Sequence, residues 1–406
     1  MNSFNQKRDT LASALGVASL SLSVLTLLAV GLIALATAFT LLIGRAAAAQ
    51  SSWTLIVVLL SMAALSLPGA YFGLTRRPRT ALDQSGISPV RIITLVVSFG
   101  IVLLLGTWIL RNASFLLWLS PVLHILAAAL PVLTSVMLIL KRAEPFSQIR
   151  AWGSFLSGLW LAPLFALILE ISLAIPLLVI LFVSSADTLN TPQLLESLSQ
   201  SPGNPETLVF EQLNSVLEQP LVIAGIVGYL SLAVPFIEEI GKSLGTWFLI
   251  RRKLTPSLAF VGGTLSGAAY GLFEAFFLAQ PSGEWASLMI ARAGASLMHI
   301  FTAGLSGLGI YYGVRERRWG KFVLLYAAAI ALHGVWNFAA LGLGLEELAQ
   351  IVAEPVIKAG PRNIITLVSM SVLLLMTTGA AFGLWMIPPS LRGSQAESGG
   401  GTLDPP

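Results

Sequence analysis

Residues 221–250 read LVIAGIVGYLSLAVPFIEEIGKSLGTWFLI, and Glu238, Glu239 and Lys242 are the only charged residues in them. About 20 consecutive apolar residues are enough for a helix to cross a bilayer. Lipid offers the backbone no hydrogen-bond partners, so such a segment must satisfy itself as a helix. The stretch therefore predicts a membrane-spanning helix with three charges at membrane depth. Each charge costs roughly 2.5–3.5 kcal/mol on insertion scales, and charges there usually mark function.

Working outward, the chain has 406 residues, 56% hydrophobic and 10% charged, against about 25% charged in soluble domains. Ten apolar segments stand out: 11–43, 53–75, 90–110, 114–140, 152–184, 221–250, 257–279, 285–314, 321–344 and 363–388. They predict an all-α polytopic membrane protein of about ten transmembrane helices. Lysine and arginine test the count, because short cytoplasmic loops collect them. With both termini cytoplasmic, seventeen of the twenty-three fall on the inner side. Only Arg45, Arg111, Lys358 and Arg362 fall outside, and Lys242 and Arg292 lie within spans. The net charge of +4 is then a signal of orientation in the bilayer. Basic residues confined to helix ends exclude a nucleic-acid partner. The absence of cysteine excludes disulfides and thiolate chemistry.

Four regions follow. Residues 1–150 form an N-terminal four-helix membrane region with almost nothing ionisable at depth, His124 excepted. The first apolar run follows Lys7 and Arg8 and precedes Ala46–Ala49, as in a signal peptide. It is far longer than the 7–15 residues of a signal core and is read as a retained helix. Residues 151–345 hold the polar core, including the acidic loop 185–220, which is expected outside with short helices at 192–200 and 205–218. Residues 346–388 are an acidic outer loop and the last span. Residues 389–406 read as a disordered cytoplasmic tail. His124 is read as a structural hydrogen-bonder, while Glu170 in the fifth span either lines the site or bonds a neighbouring helix.

Polar groups recur across four consecutive spans: Glu238, Glu239 and Lys242; Tyr270 and Glu274; Arg292 and His299; His333 and Asn337. At 1.5 Å per residue, Glu238, Glu274, His299, His333 and Asn337 lie about 18–25 Å from the inner ends of their helices. The spacings 238/242, 239/242, 270/274 and 333/337 put each pair on one helix face, so Lys242 can neutralise either Glu238 or Glu239. Gly263, Gly267 and Gly271 recur at four-residue steps on one span, and Ala295, Ala303 and Gly307 flank His299 at the same spacing on the next, a pattern for close helix packing. Each pair alone is equally a structural bond. Together they supply a general base, a second carboxylate, imidazoles and an amide donor, a set suited to attack of water on a carbonyl.

Glu238-Glu239-Ile240-Gly241-Lys242 resembles the EExxK motif of the PrsW intramembrane proteases. Tyr270 to Glu274 is similar to the family's second motif, and His299 and His333-Gly334-Val335-Trp336-Asn337 to its remaining positions. Tyr270 stands where Phe is common, and Ala275 where Asn is frequent. The resemblance covers about 221–345. It implies a catalytic core of four to five helices in the C-terminal half, and an endopeptidase cutting a membrane-tethered, single-span substrate such as an anti-sigma factor. It also implies a catalytic set of Glu238, Glu239, Glu274, His299, His333 and Asn337, supported by Lys242, Tyr270 and Arg292. The preferred mechanism needs no cofactor: Glu238 activates water while His333 and Asn337 stabilise the oxyanion. The alternative is zinc, with Glu274, His299 and His333 as candidate ligands, although no HExxH is present. The competing class is an ion- or proton-coupled transporter built on the same buried charges.

Overall fold

The computed structural model describes residues 3–42, 46–75, 87–184, 219–249, 254–278, 284–352 and 360–398, and these contain helices and no strand. In chain order the long helices are α1 (Ser3–Leu42), α2 (Ala46–Leu74), α3 (Pro89–Asn112) and α4 (Ser120–Arg142). Helix α5 joins Gln148–Leu156 to Ala162–Ser184 through a π turn, Ser157–Leu161. Helix α6 joins Pro220–Gly228 to Val234–Leu249 through a second π turn, Tyr229–Ala233. Four more follow: α7 (Pro256–Leu278), α8 (Trp285–Val314), α9 (Trp319–Val352) and α10 (Gly360–Ser398).

Among the described residues, nine helices are long and apolar enough to cross a membrane. The chain is an all-α polytopic membrane protein. The tenth expected span, 257–279, is helix α7, which is not among the nine. Its 23 residues are enough to span, but Gly, Ser, Thr and Tyr dilute its hydropathy. Most of α7 is buried in protein, so lipid places little demand on its composition. Two expected boundaries move. Helix α9 continues to Val352 where a loop was expected from 345, and α10 continues to Ser398 where disorder was expected from 389. The short helices expected at 192–200 and 205–218 lie outside the described residues.

The chain divides into two compact units. The first comprises 1–163, 239–329 and 377–406. In it α1 packs on α2, α3 on α4, and α7 against α8, α4 and the N-terminal part of α5. Its core runs through Met62, Ile109, Ile139, Phe146, Phe260 and Ile300. The α7–α8 contact is close along its length: a Cβ added at Gly263 would meet the Ala303 carbonyl, one at Gly267 the His299 carbonyl, and one at Gly271 the Ser296 backbone. The glycine ladder is a backbone-to-backbone seam, and it carries His299.

The second unit comprises 164–238 and 330–376. Leu181 packs on Val222 between α5 and α6. A Cβ at Gly334 of α9 would meet the Ser231 carbonyl in the π turn of α6, and one at Gly342 would meet Ser369 of α10.

Candidate active site

Glu238 and Glu239 are consecutive residues of α6, so their side chains leave the helix about 100° apart and enter different surroundings. In the first unit, Glu239 is fully enclosed. Its Oε1 takes the Lys242 ammonium at 2.7 Å, with both side chains 0% exposed. Thr302 donates to the same oxygen at 2.8 Å, and Ser306 donates to Oε2 at 3.2 Å. The Tyr326 hydroxyl donates to the Glu239 backbone carbonyl at 2.9 Å, and Ser266 donates to that of Lys242 at 2.7 Å. A carboxylate held this way has little freedom to turn toward a substrate.

The network continues. Lys242 Nζ lies 2.9 Å from His299 Nδ1, and His299 Nε2 lies 2.8 Å from Glu274 Oε2. An ammonium can only donate, so Nδ1 accepts and the proton of a neutral imidazole sits on Nε2, pointing at Glu274. Arg292 donates to the same Glu274 oxygen at 2.6 Å. The run Glu239, Lys242, His299, Glu274, Arg292 alternates in charge around a neutral imidazole and sums to zero. A low-dielectric interior favours such compensation, since a net buried charge would be far costlier. Tyr270 lies beneath it, its ring 5.4 Å from that of His299 and 5.0 Å from Lys242 Nζ.

In the second unit, His333 Nε2 stands 3.5 Å from Glu238 Oε2, with the side chains 2% and 5% exposed. That is long for a charge-assisted hydrogen bond. Two donors each about 2.0–2.1 Å from a tetrahedral zinc ion stand about 3.4 Å apart. The pair is therefore spaced as two ligands of one ion, and carboxylate with imidazole is a donor set zinc accepts.

Asn337, one turn beyond His333, donates through Nδ2 to the Leu230 carbonyl at 3.0 Å. Leu230 lies in the π turn of α6, where carbonyls lose their regular α-helical partners. Its amide thus anchors α9 to that turn, a different task from the oxyanion donation read from the sequence. Of the zinc candidates read there, His333 keeps ligand geometry. His299 is a candidate ligand as well, whereas Glu274 is engaged by Arg292 and His299. His124 is a structural hydrogen-bonder as expected: Nε2 lies 2.9 Å from the Ala275 carbonyl, and Trp285 donates to Nδ1 at 3.4 Å. For Glu170, it is the backbone carbonyl that accepts from Tyr229, at 2.7 Å.

Sequence reasoning passed over Thr302, Ser306 and Tyr326. The first two were findable. They lie three and seven residues after His299, on its own face of α8.

Comparison with known families then bears on these helices. Residues 203–360 match the model described as PrsW family intramembrane metalloprotease. The matched region runs from the segment before α6 to the start of α10 and includes the Glu239-to-Arg292 network and the Glu238–His333 pair, but not His124 or Glu170. No curated protein and no solved structure matches the chain. The PrsW match supports an intramembrane protease, a hydrolase working in the bilayer on a membrane substrate. The matched description names a metalloprotease.

Proposed function

We propose that the protein is an intramembrane endopeptidase that hydrolyses a peptide bond of a membrane-tethered, single-span protein near the outer half of the bilayer. The observation that carries this reading is the buried Glu238–His333 pair at ligand spacing within a PrsW match. Glu238 and His333 would hold the metal ion, with remaining positions for a further ligand and for water. A bound zinc ion supplies a Lewis acid and lowers the pKa of its water toward neutrality.

The chain's own residues do the rest. Glu239, clamped by Lys242, Thr302 and Ser306, fixes the turn of α6 from which the neighbouring Glu238 projects. Asn337 fixes the turn before it, through Leu230. Glu274, held by Arg292, accepts a hydrogen bond from the Nε2–H of His299 and so sets the tautomer that receives Lys242. The expected cytoplasmic termini put the acidic segment 185–220 on the outer side, where a substrate would enter. The substrate helix must unwind before its carbonyls can be attacked, which favours Gly or Pro near the outer end of its span.

The test is purification in detergent, metal analysis, and cleavage of a panel of single-span reporters. Wild type should retain zinc and cut reporters weakened by Gly or Pro. Glu238→Gln and His333→Ala should each lose both properties while accumulating normally in the membrane. Full activity in both variants would defeat the assignment. Solute movement at a turnover rate, with every reporter left intact, would replace it with coupled transport, which the Glu239-to-Arg292 chain would also suit.

A further inference from the structure

Away from these polar groups, α1, α5 and the inner end of α6 enclose a cavity of about 360 Å³. That lies within the size range of small-molecule sites. Its walls are largely Ala, Leu and Ile, including Leu15, Ala18 and Leu22 of α1 and Leu156 of α5. Two wall residues are anomalous. Ser154 and Ser157 are 1% and 3% exposed, and neither hydroxyl has a hydrogen-bond partner. Many serines of the membrane helices donate to a carbonyl one turn back, as Ser19, Ser23, Ser66 and Ser172 do. A hydroxyl in lipid takes that local bond by default. Two buried hydroxyls that forgo it, side by side on one wall, are arranged for an acceptor that enters from outside.

The lining along α5 is ordered by chemistry. Half-buried Arg150 stands at one end. Ser154 follows about 6 Å further along the helix and Ser157 about 10 Å, and Trp160 and Leu161 lie about 15–17 Å from Arg150. Cation, then donors, then apolar wall is the order in which a glycerophospholipid presents phosphate, ester carbonyls and acyl chain. The total length is about half of the roughly 30 Å hydrocarbon core, the depth of a single leaflet.

We infer that this cavity binds one anionic glycerophospholipid. Its phosphate pairs with Arg150, its ester carbonyls accept from Ser154 and Ser157, and one acyl chain fills the space between α1 and α5. The site is independent of the protease reading, since none of its residues belongs to either polar group.

The probe is phosphatidylglycerol with a photoactivatable diazirine on one acyl chain, diluted into phosphatidylcholine bilayers containing the full-length protein. Mass spectrometry of digests then maps the label. Labelling should concentrate on 12–22 and 149–161, and unlabelled phosphatidylglycerol should compete while added phosphatidylcholine does not. Gly153→Leu places a side chain in the space, since its Cβ meets only Leu15 at an ordinary 3.5 Å. It should reduce labelling there to the level of lipid-facing α3. Ala18→Leu, on the opposite wall, should do the same, and Arg150→Gln should abolish the preference for the anionic lipid. Each variant is first checked for a monodisperse gel-filtration peak, so that Ala18→Leu decides the matter if Gly153→Leu misfolds. Uniform labelling of all lipid-facing helices, or unchanged labelling in the well-folded variant, overturns the proposal.

Discussion

At the scale of single residues, adjacent glutamates divide the work. Glu239 is an anchor. Converting it to Gln leaves Lys242 buried beside a neutral amide, and breaking a buried pair from one side costs about 3–5 kcal/mol. Glu239→Gln should therefore lower the detergent melting temperature markedly. Glu239→Gln combined with Lys242→Met should recover part of that loss, because neither charge remains. Glu238→Gln should move the melting temperature far less in metal-stripped protein. Equal melting temperatures for the two single variants would remove the distinction. The sequence showed that one carboxylate could pair with Lys242 by helical spacing, but not which one. The choice depends on Thr302 and Ser306, which arrive from a helix some sixty residues away.

At the scale of elements, the α7–α8 seam decides where the imidazole of His299 lies. Gly267→Ala would drive a methyl into the His299 carbonyl, and backbone cannot yield as a side chain can. Overpacking of this kind costs about 1–3 kcal/mol. Because the clash falls on His299 itself, proteolytic activity should fall more than accumulation does. Gly100→Ala, where added atoms meet open space, is the matched control. An equal effect of the two substitutions on reporter cleavage would show that the seam does not position the site. The seam was legible beforehand, because four-residue glycine spacing has one physical use in lipid. The role of Asn337 was not. Its partner is a π-turn carbonyl of α6, and such turns leave no mark in composition.

At the scale of the whole molecule, the spans were readable because lipid forces apolar length on any helix it surrounds. Helix α7, read as a span from its length, is less apolar than the other nine, since protein rather than lipid surrounds most of it. Where α9 and α10 end was misread, because polar residues continue a helix readily once it has emerged into water. Orientation is still open to direct measurement. The partition of basic residues predicts that single cysteines at Ser199 and Ser398 react oppositely with an impermeant maleimide on intact cells. Position 199 should label and 398 should not, and the reverse result would invert the chain in the membrane.

The π turn at Tyr229–Ala233 also bears on how this chain tolerates change. It acts as a one-residue phase slip in the screw of α6, so the two ends of that helix keep separate angular frames. A lost residue inside the slip lets the turn relax to ordinary winding. The same loss a few residues later, between the slip and Glu238, would rotate everything downstream by about 100°. Alignments of related chains should therefore be free to open gaps at 229–233 while staying gapless from Val234 to Lys242.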